Sequence, residues 1–227
     1  MNIADSERAT ASIKSKDQKV SAADLKLYLI TDRKQFSAQC SLYIAMEDAL
    51  REGVKAVQLR EKDLPTRELL EMAHWMRDLT REYGAKLFIN DRVDIALAAG
   101  ADGVHLGQKS MPAHAVRKIS GTKLLVGVST HSIIEAIAAE KEGADFITLG
   151  PIYQTPSKLK YGNPIGIDTI KKVKNKVSIP VLAIGGIKPL KVKEVIKTGA
   201  DGIAVVSAIL TARNISGTTK EFMRLLQ

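Results

Sequence analysis

The feature that most restricts this chain is an alternation of short β-rich runs with segments of helical period. Eight such runs stand at Leu27–Thr31, Ala56–Leu59, Leu87–Asn90, Gly103–Leu106, Leu124–Val128, Phe146–Leu149, Pro180–Ile184 and Ile203–Val206. Between the second and third, Leu69, Ala73, Met76 and Leu79 recur at helical spacing with charges on the other face, where His74 falls as a surface residue. Gly100-Ala101-Asp102-Gly103, Gly143-Ala144-Asp145 and Gly199-Ala200-Asp201-Gly202 each end a helix just before a strand, and Gly53 before Val54 plays a similar part. Glycine there accepts the left-handed conformation that closes a helix. At the opposite junction, Ser132 and Glu135 form a capping box that opens the helix after strand five. Eight parallel βα units close into a barrel, whereas doubly wound sheets more often have five or six strands. The expected fold is therefore α/β, a (β/α)8 TIM barrel. No internal linker rich in Pro, Gly or Ser appears, so residues 25–227 are expected to form a single barrel domain. Residues 1–24 are expected to be an N-terminal extension, flexible or a short helix covering the barrel floor.

Composition agrees with this and narrows the partners. Hydrophobic residues make up 45% but aromatics only 4%, so the core is expected to rest on Val, Ile, Leu and Ala, which suits a parallel sheet buried on both faces. A formal net charge of +9 points to anionic partners: nucleic acid, an acidic membrane, or phosphorylated metabolites. No block of consecutive Lys or Arg, zinc finger, RNP-like motif or basic heptad region is present, which argues against nucleic acid and leaves most charges on solvated helix faces. The lone Cys40 excludes an internal disulfide and fits a reducing compartment. No apolar run approaches the roughly 20 residues needed to span a bilayer. The first 24 residues lack the apolar stretch of a secretory signal, and a cytoplasmic protein is expected. Oligomeric state, a homo-oligomer included, is left open.

In barrels of this kind the chemistry sits at the C-terminal ends of the strands, and polar residues gather there. Strand two ends in Gln58-Leu59-Arg60-Glu61-Lys62; Arg60 and Lys62, on alternate positions, point the same way, as a grip on a diphosphate requires. The competing role is a pair of surface cations near Glu61 and Asp63. Strand three ends in Asn90-Asp91-Arg92. Asp91 suits Mg²⁺, a hard cation that prefers oxygen ligands, or else caps the helix starting near Val93. Strand four gives His105-Leu106-Gly107-Gln108 and then Lys109-Ser110-Met111-Pro112, with His105 either a hydrogen-bonded structural residue or a catalytic one. Strand five leads to Ser129-Thr130-His131, which bind phosphate or substrate or lead into the cap at Ser132. Strand six opens a long stretch from Gly150 to Gly166 with the character of a substrate-covering loop. Gly185-Gly186 after strand seven and Val206-Ser207 after strand eight read as a phosphate site, because glycine lets backbone N–H groups approach and a helix N-terminus adds a favourable dipole.

Taken together, Gln58 to Lys62, Asn90-Asp91-Arg92, Val104-His105-Leu106-Gly107-Gln108, and Gly150-Pro151 with Thr155, Ser157 and Lys158 resemble the thiamine phosphate synthase family, from Tyr28 to about Ile209. The resemblance implies a transferase of thiamine biosynthesis. It joins a pyrimidine methyl diphosphate to a thiazole phosphate, or its carboxylate, and releases pyrophosphate. It implies that Gln58, Leu59, Arg60, Glu61, Lys62, Asn90, Ser129 and Lys158 hold the pyrimidine diphosphate, with Arg60, Lys62, Ser129 and Lys158 catalytic. Thr155, Pro156, Ser157, Gly186, Val206 and Ser207 would hold the thiazole phosphate. Asp91 would bind Mg²⁺, the implied cofactor. One departure stands out: where the family carries a second Mg²⁺-binding Asp, this chain has Ser110, preceded by Lys109.

Three rival readings follow from the same residues. A related thiazole tautomerase shares the phosphate grip and a histidine matched by His131, and Ser110 suits it; it has no need of Asp91, Lys158 or the strand-two motif. A non-catalytic sensor of thiamine precursors would not need the leaving-group machinery. Another phosphate-binding barrel isomerase would explain the glycines after strand seven but not Asn90-Asp91.

Overall fold

In the computed structural model, which describes residues 24–36, 42–155 and 163–227, the alternation becomes a closed ring. The strands are β1 (Leu27–Ile30), β2 (Ala56–Leu59), β3 (Lys86–Asn90), β4 (Gly103–Leu106), β5 (Leu125–Thr130), β6 (Phe146–Leu149), β7 (Val181–Ile184) and β8 (Gly202–Val205). Each pairs in parallel with the next, and β8 returns to β1 through Leu27↔Ile203 and Leu29↔Val205. Around them lie α1 (Leu42–Arg51), α2 (Thr66–Glu82), α3 (Val93–Ala98), α4 (Ala113–Ser120), α5 (Ile133–Lys141), α6 (Asp168–Lys174), α7 (Pro189–Lys197), α8 (Ser207–Leu210) and α9 (Ile215–Leu225). This is the (β/α)8 TIM barrel expected. Among the described residues, no helix is long and apolar enough to cross a membrane.

Strand alternation divides the core in two. Leu27, Leu29, Val57, Leu59, Leu87 and Ile89 point outward and pack beneath the helices. Tyr28, Ile30, Ala56, Phe88, Leu125, Phe146, Leu182 and Ala204 fill the interior. The outer layer is built of Val, Ile, Leu and Ala, as the composition suggests. The interior departs from that expectation: its centre is aromatic, with Tyr28, Phe88 and Phe146 meeting edge to face at centroid distances of 5.4, 5.6 and 5.2 Å. Gly103 and Gly127 make the room. A β-carbon would lie 2.7 Å from the Phe88 ring at Gly103 and 2.4 Å from the Phe146 ring at Gly127. Leu25, fully buried, belongs to the same interior cluster and closes it from below. Residues 1–23 of the N-terminal extension lie outside the described residues.

The repeated Gly-Ala-Asp junctions are confirmed and explained. Gly100, Gly143 and Gly199 have φ of 61, 94 and 95°, the left-handed region expected. The aspartate that follows each has a task the sequence did not reveal. Asp102, Asp145 and Asp201 each accept an N–H from the first or second residue of the preceding strand, from Leu87 (2.8 Å), Val126 (2.6 Å) and Val181 (2.7 Å). Each also pairs with a cation from the helix before that strand: Arg77 of α2, Arg117 of α4 and Lys174 of α6. The unit is repeated at β4, β6 and β8, always on the N-terminal face.

Candidate active site

The opposite face carries the polar groups. Gln58, on the inward side of β2, is buried and donates from Nε2 to Asn90 Oδ1 at 3.4 Å. Asn90 Nδ2 in turn donates to Asp91 Oδ2 at 2.7 Å. Asp91 turns the chain sharply at the end of β3 with φ of 61°, uncommon for a residue with a side chain. Its other oxygen accepts from the Gly107 N–H at 3.3 Å and from the Ser110 hydroxyl. Ser110 Oγ itself accepts from the Gly107 N–H at 2.6 Å. Lys62 Nζ stands 3.7 Å from Asp91 Oδ2. Burial on its own would raise the Asp91 pKa, but the Ser110 hydroxyl, the Lys62 charge, the Gly107 N–H and the Asn90 amide outweigh it and hold the carboxyl below its usual range. Asp91 is thus an ionised carboxylate. It does not cap α3, whose N-cap is Arg92 without a side-chain cap bond.

Glu61 and Asp63 do not neutralise the strand-two cations. Glu61 is buried and accepts from Thr31 Oγ1 at 2.7 Å and from the Arg33 N–H at 3.1 Å. Asp63 is gripped by Arg33 at 2.6 and 3.0 Å, with Lys34 Nζ at 3.0 Å. These bonds tie the β1 loop to the β2 loop. Leu59 points away from the mouth into the outer core. Beside Lys62 and Asp91, a cavity of about 220 Å³ opens between the ends of β2 and β3 and reaches outward under α2, lined also by Leu59, Glu61, Leu64, Leu69, Asn90 and Arg92.

Farther round the ring, β5 runs to Thr130, so Ser129 sits on the strand rather than in a loop after it. Ser129 Oγ lies 3.0 Å from His105 Nε2, and His105 Nδ1 lies 3.4 Å from the Tyr28 hydroxyl. Thr148 Oγ1 stands 3.4 Å from both His105 Nε2 and Ser129 Oγ. Burial, with a smaller push from the Arg60 charge and against the pull of Asp91, lowers the His105 pKa to about 4. His105 is a neutral, hydrogen-bonded support under Ser129. The Ser132 cap is present at 3.1 Å, but only half of the expected box forms: Glu135 reaches back to the His131 N–H at 2.7 Å instead of to Ser132.

On the far side, Gly185 and Gly186 follow β7 with φ of 98 and 67°. A β-carbon at Gly185 would lie 2.6 Å from Pro151 Cβ, and one at Gly186 would lie 2.7 Å from the Gln154 carbonyl oxygen. The pair therefore accommodates the segment after β6, which Tyr153 N–H joins to the Gly185 carbonyl at 3.0 Å. Val206 precedes α8, which opens at Ser207 without a side-chain cap bond.

The structure thus brings Gln58, Asn90, Asp91, Ser110 and Lys62 into one network and sets Ser129 beside His105. It places Gly186, Val206 and Ser207 on adjoining strand ends across the ring. Thr155 is the last residue of the β6 loop described before Asn163; Pro156, Ser157 and Lys158 lie outside the described residues. Tyr28 and Thr148 were missed as supports of the site. Strand alternation marks both as inward, Tyr28 two residues before Ile30 and Thr148 two after Phe146.

Among the described residues, no group of three His, Cys, Asp or Glu gathers to hold a metal. One ionised carboxylate beside a hydroxyl is nevertheless a fitting donor set for Mg²⁺, which keeps several waters and takes one or two carboxylates together with substrate phosphates.

Fold and rim define a (β/α)8 enzyme with the polar strand ends of β2 to β5 and the Gly186 and Ser207 strand ends of β7 and β8 around one mouth. The family model described as thiamine monophosphate synthase matches residues 27–209, and the chain belongs to that family, whose members are transferases of thiamine biosynthesis. A Geobacter sulfurreducens protein, provisionally named a thiamine-phosphate synthase, is 55% identical over 187 residues, covering 82% of this chain and 87% of its own. The thiamine-phosphate synthase of Clostridium novyi is 46% identical over 195 residues, covering 86% and 95%. The solved thiamine phosphate pyrophosphorylase of Pyrococcus furiosus superposes with a TM-score of 0.83 at 41% identity, covering 90% of this chain and 96% of that one.

Proposed function

We propose that residues 25–227 form a cytoplasmic catalytic unit. It joins 4-amino-2-methyl-5-(diphosphooxymethyl)pyrimidine to 4-methyl-5-(2-phosphooxyethyl)thiazole, giving thiamine phosphate and pyrophosphate, or to the carboxylate of that thiazole, giving the same two products and carbon dioxide. The observation that carries this reading is Asp91, held ionised at a left-handed turn with Lys62 3.7 Å away, across the ring from the Gly186 and Ser207 strand ends. Gln58, Asn90 and Ser129 orient the pyrimidine diphosphate, with Leu59 and Glu61 shaping the end of β2 that presents Gln58. Arg60, Lys62 and Lys158 bear on the leaving diphosphate. Thr155, Pro156, Ser157, Gly186, Val206 and Ser207 hold the thiazole phosphate.

The reaction breaks the bond from the pyrimidine methylene carbon to the diphosphate oxygen and forms one from that carbon to the thiazole nitrogen. The bonding electrons leave with pyrophosphate, and the amino group of the pyrimidine ring stabilises the cation left behind. The protein has two tasks, to hold the nitrogen in line with the carbon and to take up charge on the leaving oxygens. No covalent nucleophile is required. Asp91, with Ser110, would hold Mg²⁺, whose contribution when bound is to neutralise the diphosphate. Neutral His105 keeps Ser129 in place from below.

The test is incubation of the purified protein with both phosphorylated substrates and Mg²⁺, with thiamine phosphate read by fluorescence after oxidation. Product that is lost with EDTA and with Lys158→Ala is the expected result. No product, with the thiazole carboxylate tautomer converted instead, would overturn it in favour of a tautomerase acting through His131.

A further inference from the structure

Two side chains at the mouth, Gln108 and Glu135, have no part in the mechanism above, yet together they join three segments there. Gln108 stands in the loop between β4 and α4, directly after Gly107. Its Nε2 donates to the Ser129 carbonyl oxygen at 2.8 Å and to Glu135 Oε2 at 3.0 Å. That same carboxylate oxygen accepts from the His131 N–H at 2.7 Å and faces His131 Nδ1 at 3.1 Å. One oxygen on the first turn of α5 therefore gathers the end of β5 and the β4 loop. A glutamate serving only its own helix would stop at the N-cap; this one reaches a residue 27 positions away.

We propose that Gln108 and Glu135 are a positioning pair that fixes the two halves of the pyrimidine diphosphate subsite relative to each other. On one side the pair holds the backbone of Ser129. On the other, Gln108 adjoins Gly107, whose N–H reaches both Asp91 and Ser110. Without the pair, the β4 loop is tied to the mouth chiefly at Asp91, and the spacing between Asp91 and Ser129 loosens. The Gly186, Val206 and Ser207 strand ends belong to β7 and β8, which pair with neither β4 nor β5. The consequence is selective: loss of the pair weakens one substrate and spares the other.

The inference rests on the synthase reading, and the experiment separates their failures. Gln108→Ala, Glu135→Ala, the double variant and Glu135→Gln are compared with the parent by initial rates with each substrate varied in turn. Binding of the pyrimidine diphosphate is measured by calorimetry alongside. Each single alanine variant is expected to raise KM and Kd for the pyrimidine diphosphate about tenfold, the scale of one hydrogen bond to a charged group. KM for the thiazole phosphate stays within about twofold, and the double variant is no worse than the poorer single one, because the two residues act as one unit. Glu135→Gln, which keeps an acceptor oxygen, recovers most of the loss. Equal movement of both KM values, no movement of either, or effects that multiply in the double variant would overturn the pair. If Glu135→Ala does not fold, Gln108→Ala in its exposed loop carries the test. A parent that binds the diphosphate but forms no product removes the synthase reading, and the calorimetric comparison still decides the pair.

Discussion

The two ends of this barrel use the same kind of pair, an acid against a base, for opposite purposes. At the N-terminal face, Asp102, Asp145 and Asp201 are each closed off by a strand N–H and by a cation from the preceding helix. At the C-terminal face, Asp91 is held by neutral donors, and its cation, Lys62, stays 3.7 Å away on a side chain that is 55% exposed. A saturated pair adds stability and leaves nothing for a ligand. A loosely matched one leaves charge free to meet a diphosphate. Residue type does not distinguish the two cases; the number of partners already taken does.

The largest expected effect breaks the comparison at the mouth. Lys62→Ala and Arg60→Ala should each lower kcat/KM by about 10²–10³-fold, the scale for removing one group that stabilises developing charge. Both should leave the urea midpoint close to that of the parent. If the midpoint falls and turnover survives, the mouth cations are structural and the contrast between the two faces fails.

At the floor the signs are reversed. Asp102→Ala leaves Arg77, only 7% exposed, without its counter-ion and the Leu87 N–H without its acceptor. The expected loss is about 3 kcal/mol in urea unfolding, with kcat per folded molecule unchanged. Asp201→Ala, which releases the more exposed Lys174, should cost about 1 kcal/mol. A uniform loss at the two sites would mean that the strand N–H, and not the cation, sets the contribution.

His105 lies between the two faces and predicts how acid acts on the whole. Its folded pKa of about 4 lies below the usual 6.5, so the unfolded chain binds the extra proton first as pH falls. Its contribution is complete above about pH 7, decreases through 6.5 and levels off near 4, amounting to about 2 kcal/mol between pH 7 and 5. His105→Gln should remove that part of the slope in urea titrations at several pH values. An unchanged slope would place the titration elsewhere.

What could be read in the sequence follows the range of the interactions. Strand positions, and the glycines that close the helices before Asp102, Asp145 and Asp201, depend on neighbours two to four residues apart, and these matched to within a residue or two. The tasks of those aspartates depend on Arg77, Arg117 and Lys174, which lie 25 to 28 residues away, and no local pattern carries that information. The candidate site divides the same way. Gln58, Asn90 and Asp91 were legible because strand ends mark them, and the choice between cap and ligand at Asp91 was settled only by Gly107 and Ser110, 16 and 19 residues on. The aromatic interior escaped because three rings among 4% aromatics do not stand out in composition; the inward glycines Gly103 and Gly127 were the available signal.

The smallest effect sharpens the comparison most, because it asks how far the mouth can be filled before it behaves like the floor. Ser110 gives Asp91 a hydroxyl partner where the resembling family has a second carboxylate, so Asp91 is the one carboxylate at the proposed metal position. Mg²⁺ affinity rises with the number of charged oxygen ligands, while each ion still needs waters and substrate phosphates to complete its shell. Ser110→Asp should therefore lower the Mg²⁺ concentration for half activity by about two- to tenfold, read by titration at fixed substrates and by Mn²⁺ binding without them. The two carboxylates would repel without the ion, so a small fall in metal-free stability should accompany the gain. An unchanged titration would mean that Ser110 and its neighbour Lys109 already supply what the second carboxylate would, and that the charge of the mouth is set by its cations.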